Sequence, residues 1–174
     1  MITIHPPAVV AWQLPEDSVA ARAAFIDVFT NSSETWLRAY AFTMADLAED
    51  IIAAHEKGVP MHLYLDRSQE VGTYEKPLVE KVVQAGVEVT IGTSPAGSKF
   101  IAHEKGGCTA GGECFEGSTN FSDSAWEQVN TLLTFDSMEW AQMTVEAFNR
   151  AVAYAWASEK NLQLMSEQPA PRTA

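Results

Sequence analysis

Strand-like and helix-like stretches alternate at short spacing through the first half of this chain, and no other feature limits its possible folds as much. Pro15-Glu16-Asp17 opens a helical stretch, because proline suits a first turn and carboxylates favour the positive end of the helix dipole. Val19, Ala23, Ile26 and Phe29-Thr30 then recur at helical spacing, and Asn31-Ser32-Ser33 closes the segment. The aromatic-rich stretch from Trp36 to Phe42 is expected to be a strand. Thr43 can cap a helix from Met44 to Glu56, which Lys57-Gly58 ends with a cation and a glycine. Pro60 bars continuation, and Met61 to Asp66 predicts a second, buried strand. Leu78, Val79, Val82 and Val83 form a helical stripe closed by Ala85-Gly86, and Val87 to Ile91 predicts a third strand. Strands separated by single helices favour a largely parallel sheet with right-handed crossovers.

The second half has a different pattern. Phe100 to Lys105 is expected to be a strand, Gly106 to Gly112 a glycine-rich connection, and Glu113 to Glu116 a short strand. Gln128 to Phe135 predicts another strand, and a long amphipathic helix is expected over roughly Ser137 to Leu164. The fold class is therefore α/β: a mixed, largely parallel sheet sandwiched by helices, with a long C-terminal helix. The 174 residues leave room for one domain, expected over 1–165, with 166–174 as a flexible tail.

Composition excludes several classes. Apolar residues make up 47% and charged residues 20%, the balance of a globular chain. No apolar run reaches the roughly 20 residues of a membrane span. Met1 to Pro7 lacks a basic n-region, so no secretory signal is expected and the protein is read as cytoplasmic, without stable membrane insertion. The formal charge of −12 argues against a protein whose main task is coating nucleic acid, because such binding relies on clustered Lys and Arg. It leaves room for an enzyme that holds one phosphate in a small basic pocket. Cys108 and Cys114 are poorly spaced for zinc and are expected as free thiols.

The chemistry concentrates between positions 103 and 127. His103 and Lys105 are two apart on an expected strand and so project from one face. A fixed cation can hold anionic oxygens while an imidazole attacks phosphorus or moves a proton. Gly117-Ser118-Thr119-Asn120 adds a turn, a hydroxyl and a carboxamide able to donate to phosphate oxygens, and Glu127 could orient the imidazole. This spacing resembles the phospholipase D superfamily, whose signature is His-x-Lys, four residues, Asp, six residues, Gly-Ser/Gly-x-Asn. The register matches without a gap over the eighteen positions from His103 to Asn120. One position departs: Ala110 occupies the slot of the family's Asp, which the resemblance makes an orienting residue rather than a reacting one.

The resemblance implies a metal-independent phosphodiesterase with no cofactor, acting through a phosphohistidine. One active site of this superfamily needs two such motifs, and the chain carries one, so a homodimer sharing one site is expected. His103, Lys105, Asn120, Ser118 and Glu127 are the candidate site residues. Small bacterial members with a single motif resemble endonucleases, which makes nucleic acid the first expected substrate. A phospholipid or another small phosphodiester is the alternative, and a catalytically silent dimer that binds a phosphate-bearing partner is a third.

Overall fold

The computed structural model describes residues 8–70, 72–97 and 99–157. Its strands are β1 (Val9–Leu14), β2 (Thr35–Ala39), β3 (Met61–Asp66), β4 (Glu88–Gly92), β5 (Lys105–Thr109), β6 (Glu113–Gly117) and β7 (Asn130–Asp136). The helices are α1 (Ser18–Thr30), α2 (Ala45–Glu56), the single turn α3 (Arg67–Glu70), α4 (Glu75–Gln84) and α5 (Met138–Ala157). A 3-10 turn spans Asp123–Glu127. One seven-stranded sheet runs in the order β1-β7-β6-β5-β2-β3-β4.

The α/β sandwich matches the expected class, but the sheet is mixed rather than largely parallel, with four of its six strand pairings antiparallel, and the two kinds have a clear boundary. β2, β3 and β4 pair in parallel, where the helix crossovers of the first half lie. β5, β6, β7 and β1 pair antiparallel, joined by a tight turn after Thr109 and the longer 118–129 connection. Side chains alternate across the strands. Leu37, Leu63 and Leu65 meet α1, α2 and α4 on one face, in a core with Phe25, Ile51 and Val82. Tyr64, Cys108, Cys114 and Phe135 meet α5 on the other, with Trp36 against them.

Besides shifts of a few residues at the ends of β2 and β7, two assignments differ from the sequence expectation. Residues 101–104 are loop, and the glycine-rich stretch expected to be a connection is instead strand β5. Gly107 lies directly opposite Leu37 and Phe115. A side chain there would begin 2.6 Å from Phe115 Cζ and closer still to the Trp36 carbonyl. Glycine at this strand position is thus required by packing across the sheet, not by a turn. The edge strand β1 had no sequence counterpart; it is held by its full pairing to β7. The expected end of the long helix to Leu164 and the tail at 166–174 lie outside the described residues.

A charged staple ties the parallel strands together. His62 Nδ1 lies 2.8 Å from Glu88 Oε2 and its Nε2 lies 2.8 Å from Glu34 Oε1, with the ring stacked on Trp36 at 5.3 Å. Only an imidazolium can donate from both nitrogens. Burial works to lower its pKa, but hydrogen bonds and charge from Glu88 and Glu34 raise it overall. Glu88 moves the other way, held below its ordinary range by the His62 hydrogen bond against the opposing effect of burial. The His62 contribution to stability is complete below about pH 6.5 and fades as pH rises through its raised folded value. The Glu88 contribution is present above its ordinary value and fades as acid titrates through its lowered one. The staple is therefore strongest in mildly acidic solution. His62→Gln should flatten the decline of Tm between about pH 5.5 and about pH 8; an unchanged profile would remove the staple from the stability of this sheet.

Candidate functional site

The antiparallel pairing of β5 with β6 brings the two halves of the motif together. Gly106 faces Glu116, which sets Lys105 and Gly117 at the same level. His103 and Lys105 thus share one sheet end with Ser118 and Asn120. The carboxyl ends of β2 and β3 lie at that end too, where α/β sheets commonly bind ligands.

His103 is exposed on the loop before β5, and that loop is fixed from below. Asp66, fully buried at the end of β3, accepts a 2.5 Å hydrogen bond from the Ala102 N–H through Oδ2. Its Oδ1 accepts from the Ser68 N–H at 2.9 Å and the Ser68 hydroxyl at 2.5 Å. The Tyr40 N–H donates to the Glu104 carbonyl at 2.9 Å. The Tyr40 ring lies 4.7 Å from the His103 ring, and the Lys105 ammonium sits 5.1 Å from the same ring centre. Tyr40 therefore touches both His103 and Lys105, and its hydroxyl accepts from Gln69 Nε2 at 2.9 Å.

Lys105 is only 4% exposed, and its ammonium donates to the His103 carbonyl at 2.8 Å. Burial pushes its pKa down, against the pull of the Glu116 carboxylate. Asn120 is half-buried, and its Oδ1 is buried without a hydrogen-bond partner among the described residues. Its backbone is set by the next residue: Phe121 bridges Phe42, and Phe42 N–H donates to the buried Glu75 carboxylate at 2.8 Å.

Ser118 and Glu127 stand differently. The Ser118 hydroxyl donates to Asn130 Oδ1 at 2.9 Å and accepts from the Thr131 N–H at 3.0 Å, so it closes the loop that carries Asn120. Glu127 ends the 3-10 turn, exposed, with no hydrogen bond or ion pair to His103. Ala110 lies in the turn at the far end of β5, roughly 16 Å from Lys105 at ~3.3 Å per strand residue. A side chain in that slot cannot touch Lys105 within one copy.

Sequence reasoning missed Tyr40, Asp66, Arg38 and Glu116. Arg38 is 8% exposed and pairs with Glu104 at 2.8 Å. Glu116 shares its row of the sheet, across Gly106. Burial, with help from Glu104, raises the Glu116 carboxyl to about 7 against the opposing charges of Arg38 and Lys105. A carboxylate immediately before Gly117-Ser118 was the available signal. Cys108 and Cys114 face each other on β5 and β6 as free thiols, raised by burial to about 12 and about 11. Such thiols are poor nucleophiles.

No group of three or more His, Cys, Asp or Glu able to hold a metal lies among the described residues. No helix among them is long and apolar enough to cross a membrane. The family model described as "Cardiolipin synthase, PLD-like domain" matches residues 25–152. The fold is similar to that of Nuc from Salmonella typhimurium, a phospholipase D family member, at 21% identity and a TM-score of 0.72, covering 83% of this chain and 93% of that one. It is also similar to NucT from Helicobacter pylori, at 19% identity and a TM-score of 0.74, covering 84% and 96%. A third similar structure is a Haemophilus influenzae phosphatidylserine synthase, at 15% identity and a TM-score of 0.62, covering 91% of this chain and 45% of that one. No curated protein matches the sequence significantly.

Proposed function

Because the chain belongs to the phospholipase D superfamily of phosphodiesterases, we propose that it hydrolyses a phosphodiester of the nuclease type, without metal, at a site completed by a second copy of itself. The observation that carries this reading is the convergence of His103 and Lys105 on the Tyr40 ring, at the sheet end that also presents Asn120.

A nitrogen of His103 attacks phosphorus, forming a P–N bond while the P–O bond to the leaving group breaks. The partner's His103 gives its proton to the leaving oxygen. That imidazole then takes a proton from water, whose oxygen displaces the phosphohistidine. Lys105 and the Asn120 carboxamide stabilise the non-bridging oxygens as charge develops. Within this reading Ser118 holds the Asn120 loop rather than the substrate, as its two hydrogen bonds suggest. A contribution from Glu127 would have to come from its place in the assembled dimer.

A lipid or small phosphodiester is the second reading, favoured by two observations. Phe100 and Ile101, 48% and 45% exposed, immediately precede the site loop. Five basic side chains, Arg22, Arg38, Lys76, Lys81 and Arg150, are paired to carboxylates in a chain of net charge −12. Both features suit a lipid better than a polyanion. The test assays single- and double-stranded DNA, RNA, phospholipid vesicles and bis(4-nitrophenyl) phosphate in EDTA. Turnover should persist in the chelator, with a mass in solution of about 38 kDa, twice the 19.0 kDa chain. Turnover that requires added Mg²⁺ or Zn²⁺, or an active monomer, would sink the reading.

A further inference from the structure

Beside the reacting residues lies a second cluster, formed by Arg38, Glu104 and Glu116 around the backbone of Gly106. Arg38 and Glu116 occupy one row across β2, β5 and β6, with Gly106 between them. A side chain at 106 would begin 2.8 Å from the Glu116 carboxyl carbon, so glycine is what admits that carboxylate beside Lys105. Arg38 is already engaged by Glu104 at 2.8 Å, yet its buried Nε donor has no partner among the described residues. No hydrogen bond from a described residue reaches Glu116. The cluster thus holds a half-buried carboxylate with no protein donor among the described residues and a buried cation with a donor to spare.

We infer that Glu116 takes up a proton from solvent when an anionic phosphodiester enters beside Lys105, so that anion binding and protonation of this carboxyl are coupled. The inference rests on the phosphodiesterase reading and adds to it a control on that site. With Glu116 ionised, the charges of Arg38, Lys105, Glu104 and Glu116 cancel. With Glu116 neutral, one positive charge is left for the substrate. An incoming anion makes the ionised carboxylate still less favourable, and linkage requires the converse: the neutral form binds the anion more tightly. The groups acting on Glu116 are Arg38 from β2, Lys105 from β5 and Glu104 from the loop before it, and its already raised carboxyl makes uptake available near neutral pH. Its register partner on β7 is the apolar Leu133, and none of the charged groups of α5 acts on it.

The probe is dimethyl phosphate, which stays singly charged across this range. Its binding is measured by calorimetry at pH 6, 7 and 8 in buffers of different ionisation enthalpy. Wild type should bind about fivefold more tightly at pH 6 than at pH 8, with roughly half a proton taken up per anion slightly above neutrality. Glu116→Gln, nearly the same shape, should bind at pH 8 about as well as wild type does at pH 6, with that part of the uptake gone. The titration of the Glu116 carboxyl itself, followed by carbon-13 NMR in wild type, should move to higher pH on adding the probe; this needs no variant. Proton uptake unchanged in Glu116→Gln, or a Glu116 titration indifferent to the probe, would overturn the coupling and leave the phosphodiesterase reading standing. Failure of the probe to bind either protein would overturn both.

Discussion

Replacing His103 by Ala should abolish phosphodiester turnover, by about 10⁴-fold or more, because in the proposed shared-site mechanism one substitution removes the nucleophile and, across the two-fold axis, the acid as well. Lys105→Ala and Asn120→Ala should cost less, about 10²–10³-fold each, since they remove stabilisation of charge and leave the bond-forming groups. The discriminating form of the experiment mixes subunits. Co-folding wild type with His103→Ala in equal amounts gives hybrids with one imidazole per shared site. Statistical pairing then leaves about one quarter of the dimers intact, and activity should fall to that fraction of an equal quantity of wild type. Retention of about half would mean that each copy works alone, and the shared-site mechanism would fail. The His103 loop is anchored through its backbone by Asp66, and the imidazole itself is exposed, so the variant should fold normally.

Phe25→Ala should be the most damaging substitution away from the chemistry, destabilising the fold by about 3–5 kcal/mol in urea denaturation. Phe25 is fully buried on α1. Its ring meets Phe115 edge-on at 4.9 Å, stacks on Phe121 at 5.1 Å and lies 5.8 Å from Trp126. Truncation loses the buried area, the ring contacts and the packing of three neighbours. That is a large share of the ~5–15 kcal/mol typical of a whole domain. The same cavity undercuts Phe121, the residue after Asn120, so the surviving folded fraction should also lose turnover. Val19→Ala on the same helix, at a site 88% exposed, should change stability by no more than about 0.5 kcal/mol. A Phe25→Ala cost below about 1 kcal/mol would mean that the aromatic cluster does not anchor the sheet to α1.

Sequence was enough wherever the information is local. The spacing of Val79, Val82 and Val83, and the cation and glycine at Lys57-Gly58, are written within single elements, and α4 and α2 form close to where those signals place them. That His103, Lys105 and Asn120 come to one end of the sheet likewise needed only residue types at fixed intervals, because the motif is carried by one hairpin whose two strands are adjacent in the chain. What each side chain does in the reaction is a separate matter, left to the subunit-mixing and probe-binding experiments.

Tertiary structure decided the rest, and in each case the cause is a partner distant in sequence. Gly106 and Gly107 look like a break when only neighbours along the chain are considered. They form a strand because both pair with β2 on one side and β6 on the other, and at Gly107 the Trp36 carbonyl and the Phe115 ring leave no space for a side chain. Asp66 has no local mark of function, yet its hydrogen bond to Ala102, 36 residues on, fixes the loop of His103. Tyr40 joins His103 and Lys105 only because β2 lies beside β5. The proton affinity of Glu116 arises from burial beside Arg38, 78 positions away in the chain, and burial is a property of the packed sheet. Periodicity and motif spacing are set by the chain's own geometry, whereas crowding, desolvation and long-range hydrogen bonds exist only once the strands have met.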